Sequence, residues 1–385
     1  MHVLFVTQYD PLNLAAGGPA YKVSALSDHL ARRGHSVTII TAAAGKLTAN
    51  HDHLYLSKMD SRVNILHMRT LIRYRAITFN PAIWAVARRE VPRADVIHLF
   101  GFYNLLGPIV ARIAQAHDVP YVLEPMGMVL PIVRSLGKKR LYYRWVGHLL
   151  VAAASRVIAT APREREDLIR AGIAVDSISV RRNGIDLEDF AVLPEPGILR
   201  QRLGIAPEKK LVLYLGRLSR KKNPDLLMRA LASINSSEVH LLIAGPDSDG
   251  YAKELRELRA SLGLEDHVLF SGPLYDEDKL SALVDADVFA LPSQNENFGN
   301  VIAESIAAGT PVVISDQCGI APYVRDKAGL VVPVSQNALE DALTRLLFDR
   351  SLYQNLLHGC TAVANELTWD EPVSLLEGLY RSLMV

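Results

Sequence analysis

Short apolar segments rich in Val, Ile and Leu alternate with helix-type patterns along the chain. This alternation is typical of parallel sheets whose strands are joined by crossover helices. It predicts an α/β fold with two doubly wound sheets. The predicted strands cover residues 2–6, 36–41, 63–67, 96–99, 121–124 and 156–159 in the first half, and 211–215, 240–244, 267–270, 288–291, 311–314 and 329–332 in the second.

The chain of 385 residues is longer than a domain with a single hydrophobic core usually is, so two domains are expected. Prolines cluster between residues 190 and 210, which indicates a linker there. We therefore predict two Rossmann-like domains, at residues 1–192 and 193–368. The last stretch, about residues 369–385, carries apolar residues at helical spacing and is expected to pack back on the first domain.

Charge and cysteine content exclude several classes of protein. The chain has 42 basic and 41 acidic residues, and this balance argues against a nucleic-acid partner bound through a general basic field. The two cysteines, Cys318 and Cys360, have no metal-ligand spacing and make no disulfide framework. Residues 1–6 are interpreted as a first strand without an export signal, and the apolar stretch 149–161 is too short to span a bilayer. The expected location is the cytoplasm, with peripheral binding to the inner face of the membrane as an option.

The first glycine-rich loop, Gly17-Gly18-Pro19, precedes a predicted helix. Glycines there allow a ligand to approach the backbone closely, although an ordinary turn is the more frequent explanation of such a pair. The chain contains no Gly-x-Gly and no Walker A sequence, so neither a nicotinamide dehydrogenase nor a P-loop kinase is supported.

Two polar clusters follow predicted strands of the second half. Glu296 lies in a strand-to-helix loop, and Glu304 lies in the first turns of a helix that begins near Gly299. Amide groups at a helix start attract anions, and ligands of open α/β sheets bind beyond the carboxyl ends of the strands. Arg217 and Lys222, after the strand 211–215, could neutralise a diphosphate, although a solvated basic loop is an equal alternative. Together these clusters predict a site for an anionic, hydroxyl-rich ligand.

The order of these motifs is similar to that of glycosyltransferase family 4. The shared motifs are Gly17-Gly18 before a helix ending in Arg33-Gly34-His35, then Asn183-Gly184-Ile185-Asp186, Gly216-Arg217 with Lys222, and Glu296-x₇-Glu304. The resemblance covers nearly the whole chain. It implies a GT-B fold, with an acceptor-binding N-terminal domain and a nucleotide-sugar-binding C-terminal domain facing a cleft. It also implies a retaining, metal-independent hexosyltransferase that needs no cofactor beyond its nucleoside diphosphate sugar.

The resemblance assigns roles by position. Arg217, Lys222 and the backbone of Gly17 and Gly18 would contact the donor diphosphate, and Glu304 the ribose. The implied sugar contacts are Glu296 and the backbone amides of Asn297, Phe298, Gly299 and Asn300. Leu274 and Lys279 would lie near the base. Glu296, Arg217 and Lys222 are the implied catalytic residues, with charge stabilisation supplied by cations and amides and no glycosidase-type acid–base pair.

The chain departs from the family pattern at two positions. Met126, in Glu124-Pro125-Met126-Gly127, stands where many members have His, and Tyr323 stands where Glu is common. His98, Glu124 and Met126 are the candidate acceptor contacts. For His98 a structural, hydrogen-bonded role is at least equally expected.

Asp-x-Asp, a metal-binding signature of another glycosyltransferase fold, occurs at Asp247/Asp249, Asp276/Asp278 and Asp285/Asp287. Three copies in one chain show how easily the pattern arises, so we favour capping or solvated roles and predict no metal site.

Residues 134–151 are the predicted acceptor- or membrane-contact segment. Arg140, Arg144 and His148 are four residues apart and share a helical stripe, which suits anionic lipid headgroups. A core-packed helix with a solvated basic face is an equal alternative. This segment favours a lipid-linked saccharide or surface-glycan acceptor. The alternatives are a small soluble acceptor or a catalytically silent nucleotide-sugar-binding protein.

Overall fold

The computed structural model describes residues 1–13, 17–42, 59–74, 77–129, 136–247 and 250–384. The chain forms two compact units. The first unit is Met1–Asn183 with Trp369–Val385, and the second is Gly184–Thr368. The division after Asn183 comes earlier in the chain than the 192/193 boundary that the proline cluster suggested.

The first unit contains a seven-stranded parallel sheet in the order β3-β2-β1-β6-β7-β8-β9. Its strands are β1 His2–Thr7, β2 Ser36–Ala42, β3 Val63–Met68, β6 Val96–Phe100, β7 Tyr121–Glu124, β8 Arg156–Ala159 and β9 Ile178–Val180. A separate antiparallel pair consists of β4 Ile72–Tyr74 and β5 Ile77–Phe79.

Helices flank this sheet. They are α1 Gly18–Arg32, α2 Ile83–Glu90, α3 Leu106–Ala116, α4 Leu136–Tyr142, α5 His148–Ala152 and α6 Pro162–Arg170. A π-helical turn, Tyr143–Gly147, joins α4 to α5, and short 3-10 turns lie at Val91–Arg93 and Val175–Ser177.

The second unit contains a six-stranded sheet in the order β12-β11-β10-β13-β14-β15, again all parallel. Its strands are β10 Lys210–Leu215, β11 Val239–Ala244, β12 Val268–Gly272, β13 Val288–Leu291, β14 Val312–Ser315 and β15 Gly329–Val332. Its helices are α7 Ile198–Leu203, α8 Pro224–Ile234, α9 Tyr251–Ser261, α10 Asp276–Asp285, α11 Asn300–Ala307, α12 Ala321–Val324, α13 Gln336–Phe348 and α14 Arg350–Glu366. Two 3-10 turns lie at Leu187–Phe190 and Arg220–Lys222.

The last helix, α15 Asp370–Leu383, belongs to the first unit. Trp369, Val373 and Tyr380 are buried there in the apolar cluster that also contains residues of α1 and β1. Arg33 at the end of α1 donates to the Ser374 hydroxyl at 2.7 Å and to the Glu377 carboxylate at 2.9 Å. The C-terminal segment is therefore held by both apolar packing and charged hydrogen bonds.

The inner strands of the first sheet are buried on both faces, which explains why they are largely apolar, whereas the edge strand β3 is partly exposed. Leu4 and Val6 of β1 belong to one apolar cluster, whereas Val3 and Phe5 belong to another. Successive side chains of a strand point to opposite faces, so one strand contributes to both layers.

The two sheets confirm the predicted α/β class with two doubly wound domains. The strand order of the second unit is that of a doubly wound nucleotide-binding sheet, and the first unit has the same order plus one strand when the β4–β5 pair is left aside. Every strand expected from the sequence is present. The sequence missed β4, β5 and β9, because three-residue strands are too short to show a period. Among the described helices, none has the length and apolarity needed to cross a bilayer.

Close approach of two strand ends in the second unit generates a stability prediction. Gly245 follows β11 with a φ of 146°, and a Cβ atom there would lie 1.9 Å from the carbonyl oxygen of Gly216. We expect Gly245→Ala to lower the unfolding free energy by roughly 2 kcal/mol or more, because backbone must move to admit the methyl group. Thermal unfolding followed by circular dichroism measures the effect. Gly216→Ala is the control, since its Cβ would meet only the Lys222 side chain, at 3.5 Å. Equal losses in the two variants would contradict this explanation.

Candidate active site in the second unit

Four of the predicted donor residues form two ion pairs near the carboxyl ends of the second sheet. Lys222 lies in the 3-10 turn after β10, and Glu296 lies in the loop after β13. The Lys222 Nζ atom is 2.8 Å from the Glu296 Oε2 atom, and the two side chains are 23% and 20% exposed. The sequence assigned these residues to different parts of a ligand, and the structure brings their charged groups into contact.

The main chain around Glu296 is held by the loop after β14. The Glu296 amide donates to the Gln317 carbonyl at 3.1 Å, and the Gly319 amide donates to the Glu296 carbonyl at 2.9 Å. Cys318, between these two partners, is buried and forms a parallel bridge with Glu296. This bracing fixes the position from which the Glu296 carboxylate projects.

The second ion pair joins two helices. The Lys279 Nζ atom of α10 lies 3.0 Å from the Glu304 Oε2 atom of α11, with side chains 31% and 15% exposed. Leu274, just before α10, is half-buried and packs against the core. Lys279 and Glu304 are thus as close together as Lys222 and Glu296 are.

Arg217 is exposed after β10, and no carboxylate within the described parts of the chain forms an ion pair with it. Its carbonyl oxygen accepts a hydrogen bond from the Tyr214 hydroxyl at 2.9 Å. Burial holds the pKa of Tyr214 well above its ordinary value, so this hydroxyl remains a donor. The backbone of Arg217 is therefore fixed, while its guanidinium group faces solvent.

The loop from Asn297 to Asn300 leads into α11. Gly299 precedes the helix with a left-handed φ of 102° and offers no capping side chain. A Cβ at Gly299 would lie 2.5 Å from the Ile302 side chain, so this turn depends on glycine. Phe298 is buried in the core and its carbonyl accepts from the Ile320 amide at 3.0 Å, whereas Asn297 and Asn300 are half-buried. The Phe298 side chain therefore belongs to the core, and a ligand contact through its backbone amide stays a prediction.

The Asp-x-Asp aspartates have structural contacts. Asp247 accepts from the amides of Tyr251 and Ala252 at the start of α9, at 2.9 and 3.1 Å. Asp285 accepts from the Leu199 and Arg200 amides at 2.7 and 2.9 Å, and so caps α7. Asp287 pairs with Arg200 at 2.6 Å, and Asp278 pairs with Arg202 at 2.6 Å. Asp249 lies outside the described residues. Across the described ranges, no group of three or more His, Cys, Asp or Glu side chains is arranged to hold a metal ion.

Gly17 and Gly18 lie at the start of α1 in the first unit, with Gly17 in a left-handed conformation, φ 89°. Both are exposed, as backbone contact with a ligand requires. Their role in donor binding stays a prediction.

The structure buries two of the candidate acceptor residues. His98 has no exposed surface; its ring stacks on Phe100 at 3.9 Å and its Nδ1 atom lies 2.6 Å from the Tyr380 hydroxyl. Burial lowers the pKa of His98 to about 4, so its ring is neutral at physiological pH. Contact with an acceptor would require accessible atoms, and the structural alternative therefore explains this histidine.

Glu124 is the centre of a buried charge network that the sequence did not reveal. Its carboxylate accepts from Lys22 at 2.6 Å and forms an ion pair with Arg181. Burial alone would raise the pKa of Glu124, but Arg181 and Lys22 hold it well below its ordinary value. The only sequence signal was that Lys22 is four and eight residues before Leu26 and Leu30, on the apolar face of α1. Like His98, Glu124 has no surface for an acceptor.

Met126 is the candidate acceptor residue that retains some exposed surface. It adopts a left-handed φ of 55° and packs against the apolar cluster of α1, β1 and α15. A non-glycine residue in this conformation is uncommon and accompanies functional turns often enough to keep Met126 as a candidate.

The predicted contact segment is largely exposed, although residues 134 and 135 lie outside the described part. Leu141, Trp145 and Leu149 are 58%, 68% and 62% exposed, next to exposed Arg140, Arg144 and His148. The helix is anchored on its other side by Tyr142, whose hydroxyl donates to the carbonyls of Phe102 and Asn104 at 2.8 and 2.9 Å. The stripe of Leu141, Trp145 and Leu149 is therefore not part of the core.

The buried histidine predicts a pH dependence of stability. Because the pKa of His98 is about 4 in the folded chain and 6.5 in a model peptide, the unfolded state binds more protons between these values. The first unit should lose stability as pH falls from about 6.5 to about 4, by up to roughly 1.4 kcal/mol per pKa unit of difference. All three tryptophans, Trp84, Trp145 and Trp369, lie in this unit, so urea unfolding followed by tryptophan fluorescence measures it.

The control is His98→Asn, which removes the titrating ring and should flatten this part of the profile. Loss of stability at lower pH, where Glu124 is protonated, should persist. An unchanged slope between pH 4 and 6.5 would show that another group is responsible.

Comparisons with known proteins match both units of the chain. Residues 17–184 match the family described as "Glycosyl transferase 4-like domain", and residues 197–358 match "Glycosyl transferases group 1". A D-inositol 3-phosphate glycosyltransferase of Xylanimonas cellulosilytica is 30% identical over 95% of this chain and 91% of its own length. A protein of the same name from Thermomonospora curvata is 29% identical over 95% and 90%.

Solved structures share the fold. The Anabaena protein Alr3699/HepE, in complex with UDP and glucose, has a TM-score of 0.80 and 22% identity and covers 99% of this chain and 100% of its own. Sucrose-phosphate synthase from Thermosynechococcus elongatus has a TM-score of 0.77 and 21% identity, covering 100% of this chain and 99% of its own.

The fold and these similarities thus define a glycosyltransferase of the GT-B class. The chain belongs to glycosyltransferase family 4.

Proposed function

We propose that the chain is a retaining glycosyltransferase that moves a hexose-type sugar from a nucleoside diphosphate donor to a hydroxyl group of a small soluble acceptor. The observation that carries the donor half is the ion pair of Lys222 with Glu296, at 2.8 Å. Arg217, in the same loop after β10 as Lys222, is exposed and has no ion-pair partner among the described residues. In a nucleotide sugar the diphosphate is bonded directly to a hydroxyl-rich sugar ring. A cation and a carboxylate side by side can therefore contact the two parts, the cation the diphosphate and the carboxylate the sugar hydroxyls.

Lys222 and Arg217 would bind the diphosphate. Both ion-pair partners of Lys222–Glu296 are partly exposed, so an incoming phosphate can share Lys222 without a large desolvation cost. Glu296 would then accept hydrogen bonds from sugar hydroxyls. By the same reasoning Glu304 would bind the ribose hydroxyls, with Lys279 close to the base.

In the proposed reaction the bond between the anomeric carbon and the diphosphate oxygen breaks, and the acceptor hydroxyl oxygen bonds to that carbon on the same face. The hydroxyl proton passes to the departing diphosphate, so no strong protein base is needed. Charge on the leaving group is stabilised by Lys222, Arg217 and the amides at the start of α11. We propose that no metal takes part, since described aspartates of the Asp-x-Asp motifs serve as helix caps and ion-pair partners.

The similar curated proteins support a small acceptor. Those from Xylanimonas cellulosilytica and Thermomonospora curvata are named for D-inositol 3-phosphate, a small phosphorylated polyol, and the similarity extends over 95% of this chain. The lipid-linked or surface-glycan acceptor favoured by the sequence has no such support. A hydroxyl-bearing small molecule, with D-inositol 3-phosphate as the first compound to test, is therefore the leading proposal.

Substitutions of the two members of the Lys222–Glu296 pair should affect nucleotide binding differently. Lys222→Ala should weaken binding of the cognate nucleoside diphosphate about tenfold or more, because a charge-assisted contact to phosphate is lost. Glu296→Gln should leave that binding unchanged or tighter, since Lys222 is released from its partner, while sugar transfer falls steeply. Calorimetry with UDP, GDP and ADP, and product formation from the matching glucose nucleotides and D-inositol 3-phosphate, measure the two quantities.

Lys253→Ala is the matched control, because this α9 lysine is 84% exposed and its ion pair with Glu257 is long, at 3.8 Å. Equal weakening by Lys222→Ala and Lys253→Ala would refute the diphosphate assignment. Parallel loss of nucleotide binding and transfer in Glu296→Gln would refute the sugar assignment.

One surface favours a second candidate, a lipid-linked acceptor at an anionic membrane. The exposed stripe of Leu141, Trp145 and Leu149 borders Arg140 and Arg144, and in the described structure neither arginine has an ion-pair partner. Apolar side chains beside cations are the composition of helices that lie in the headgroup region of anionic bilayers.

Vesicle sedimentation distinguishes the two candidates. If the second is correct, the chain should sediment with phosphatidylserine-containing vesicles at low salt, and the double variant Arg140→Glu/Arg144→Glu should not. Reversal of the exposed Arg229 and Arg345, both in the second unit, controls for net charge. Absence of sedimentation by the unsubstituted chain, together with transfer to D-inositol 3-phosphate, would leave only the small acceptor.

A further inference from the structure

Asn223 directly follows Lys222 and connects two loops of the second unit. The residue is buried and left-handed, with φ 52° and ψ 45°, and precedes α8. Its side-chain nitrogen donates to the Pro292 carbonyl at 2.9 Å, and its side-chain oxygen accepts from the Gln294 amide group at 3.0 Å. The Gln294 backbone amide also donates to the Lys221 carbonyl at 2.8 Å.

These contacts join the two chain segments that carry the first ion pair. Lys221 and Lys222 belong to the turn after β10, whereas Pro292, Gln294 and Glu296 belong to the loop after β13. A lysine side chain is long and rotatable, so its distance from a carboxylate on another loop depends on how firmly the two backbones are joined. The hydrogen bonds of Asn223 and Gln294 provide that connection.

A purely conformational role does not explain the choice of asparagine. Glycine is the residue best suited to a left-handed position, and asparagine is tolerated there at some cost. Asn223 also stands at the N-cap of α8, yet its side chain makes no capping hydrogen bond to the helix. Both polar atoms of the side chain instead form hydrogen bonds to residues of the loop after β13.

We infer that Asn223 and Gln294 are positioning residues that hold Lys222 beside Glu296 in the geometry a nucleoside diphosphate sugar requires. The inference rests on the proposed function for the identity of the ligand. The connection between the loops is a property of the unliganded chain and can be measured separately.

The test uses Asn223→Gly, which keeps the left-handed backbone and removes the amide. Asn235→Gly is a matched control, because Asn235 is also left-handed, φ 47°, at the other end of the same helix, and is exposed. Hydrogen exchange of the full chain should show amides of residues 293–298 exchanging about tenfold faster or more in Asn223→Gly, with peptides from the rest of the sheet unchanged.

A double-mutant cycle with Lys222→Ala tests the functional consequence. Asn223→Gly should weaken binding of the cognate nucleoside diphosphate, among UDP, GDP and ADP, by about fivefold in the unsubstituted chain and much less when Lys222 is already alanine. A residue that only stabilises the fold would instead give the same loss in both backgrounds.

The outcomes separate the two proposals. Unchanged exchange at residues 293–298 overturns the inference whatever the ligand is. Faster exchange with equal losses of binding in both backgrounds overturns the positioning role. If the unsubstituted chain binds none of the three nucleotides, the proposed donor fails and the positioning role fails with it, whereas the exchange result still decides whether Asn223 and Gln294 join the loops.

Discussion

Burial of the inner strands of both parallel sheets decides where this protein can place charged groups. Leu211–Leu215 of β10 and Val288–Leu291 of β13 are buried throughout, so an unpaired charge within these strands would carry a large desolvation cost. Charged side chains are therefore concentrated beyond the strand ends, where parallel strands bring successive loops to one edge. Lys222 and Glu296 follow strands β10 and β13, which are neighbours in the sheet.

The two units use charge in different ways. In the first unit, Glu124 is fully buried with Lys22 and Arg181, and removal of this carboxylate would leave two buried cations without their counter-charge. In the second unit, Lys222–Glu296 and Lys279–Glu304 are partly exposed. Because water reaches these partly exposed pairs, exchanging one partner for a ligand costs less desolvation than it would in the buried Glu124 network. The first network is suited to holding the fold, and the second to receiving a ligand.

The sequence predicts the architecture well because periodicity is a local property. Each strand of four residues or more left an apolar run, and the glycines and charged residues that follow such runs indicated the edge of the second sheet. Contacts between side chains that are distant in sequence are not a local property. Nothing in the sequence shows that Lys222 meets Glu296, or that His98 is enclosed by Phe100, Tyr380 and Glu124, because these contacts depend on strand order and on the return of α15. The positive φ of Asn223 was equally hidden, since asparagine adopts ordinary conformations in most contexts.

The nature of the acceptor is a separate question from the nature of the donor. The paired residues of the second unit suit a nucleoside diphosphate sugar whether the acceptor is a small polyol or a lipid-linked saccharide, so they cannot distinguish the two. Two indications oppose each other: the whole chain is similar to proteins named for a small phosphorylated polyol, whereas the first unit has an exposed apolar stripe next to two arginines without an ion-pair partner among the described residues. Scattered apolar residues are normal on any surface, but an aligned row of a tryptophan and two leucines is not. A membrane or another apolar partner would be the physical reason for such a row, and this is the ground on which the second proposed acceptor stands.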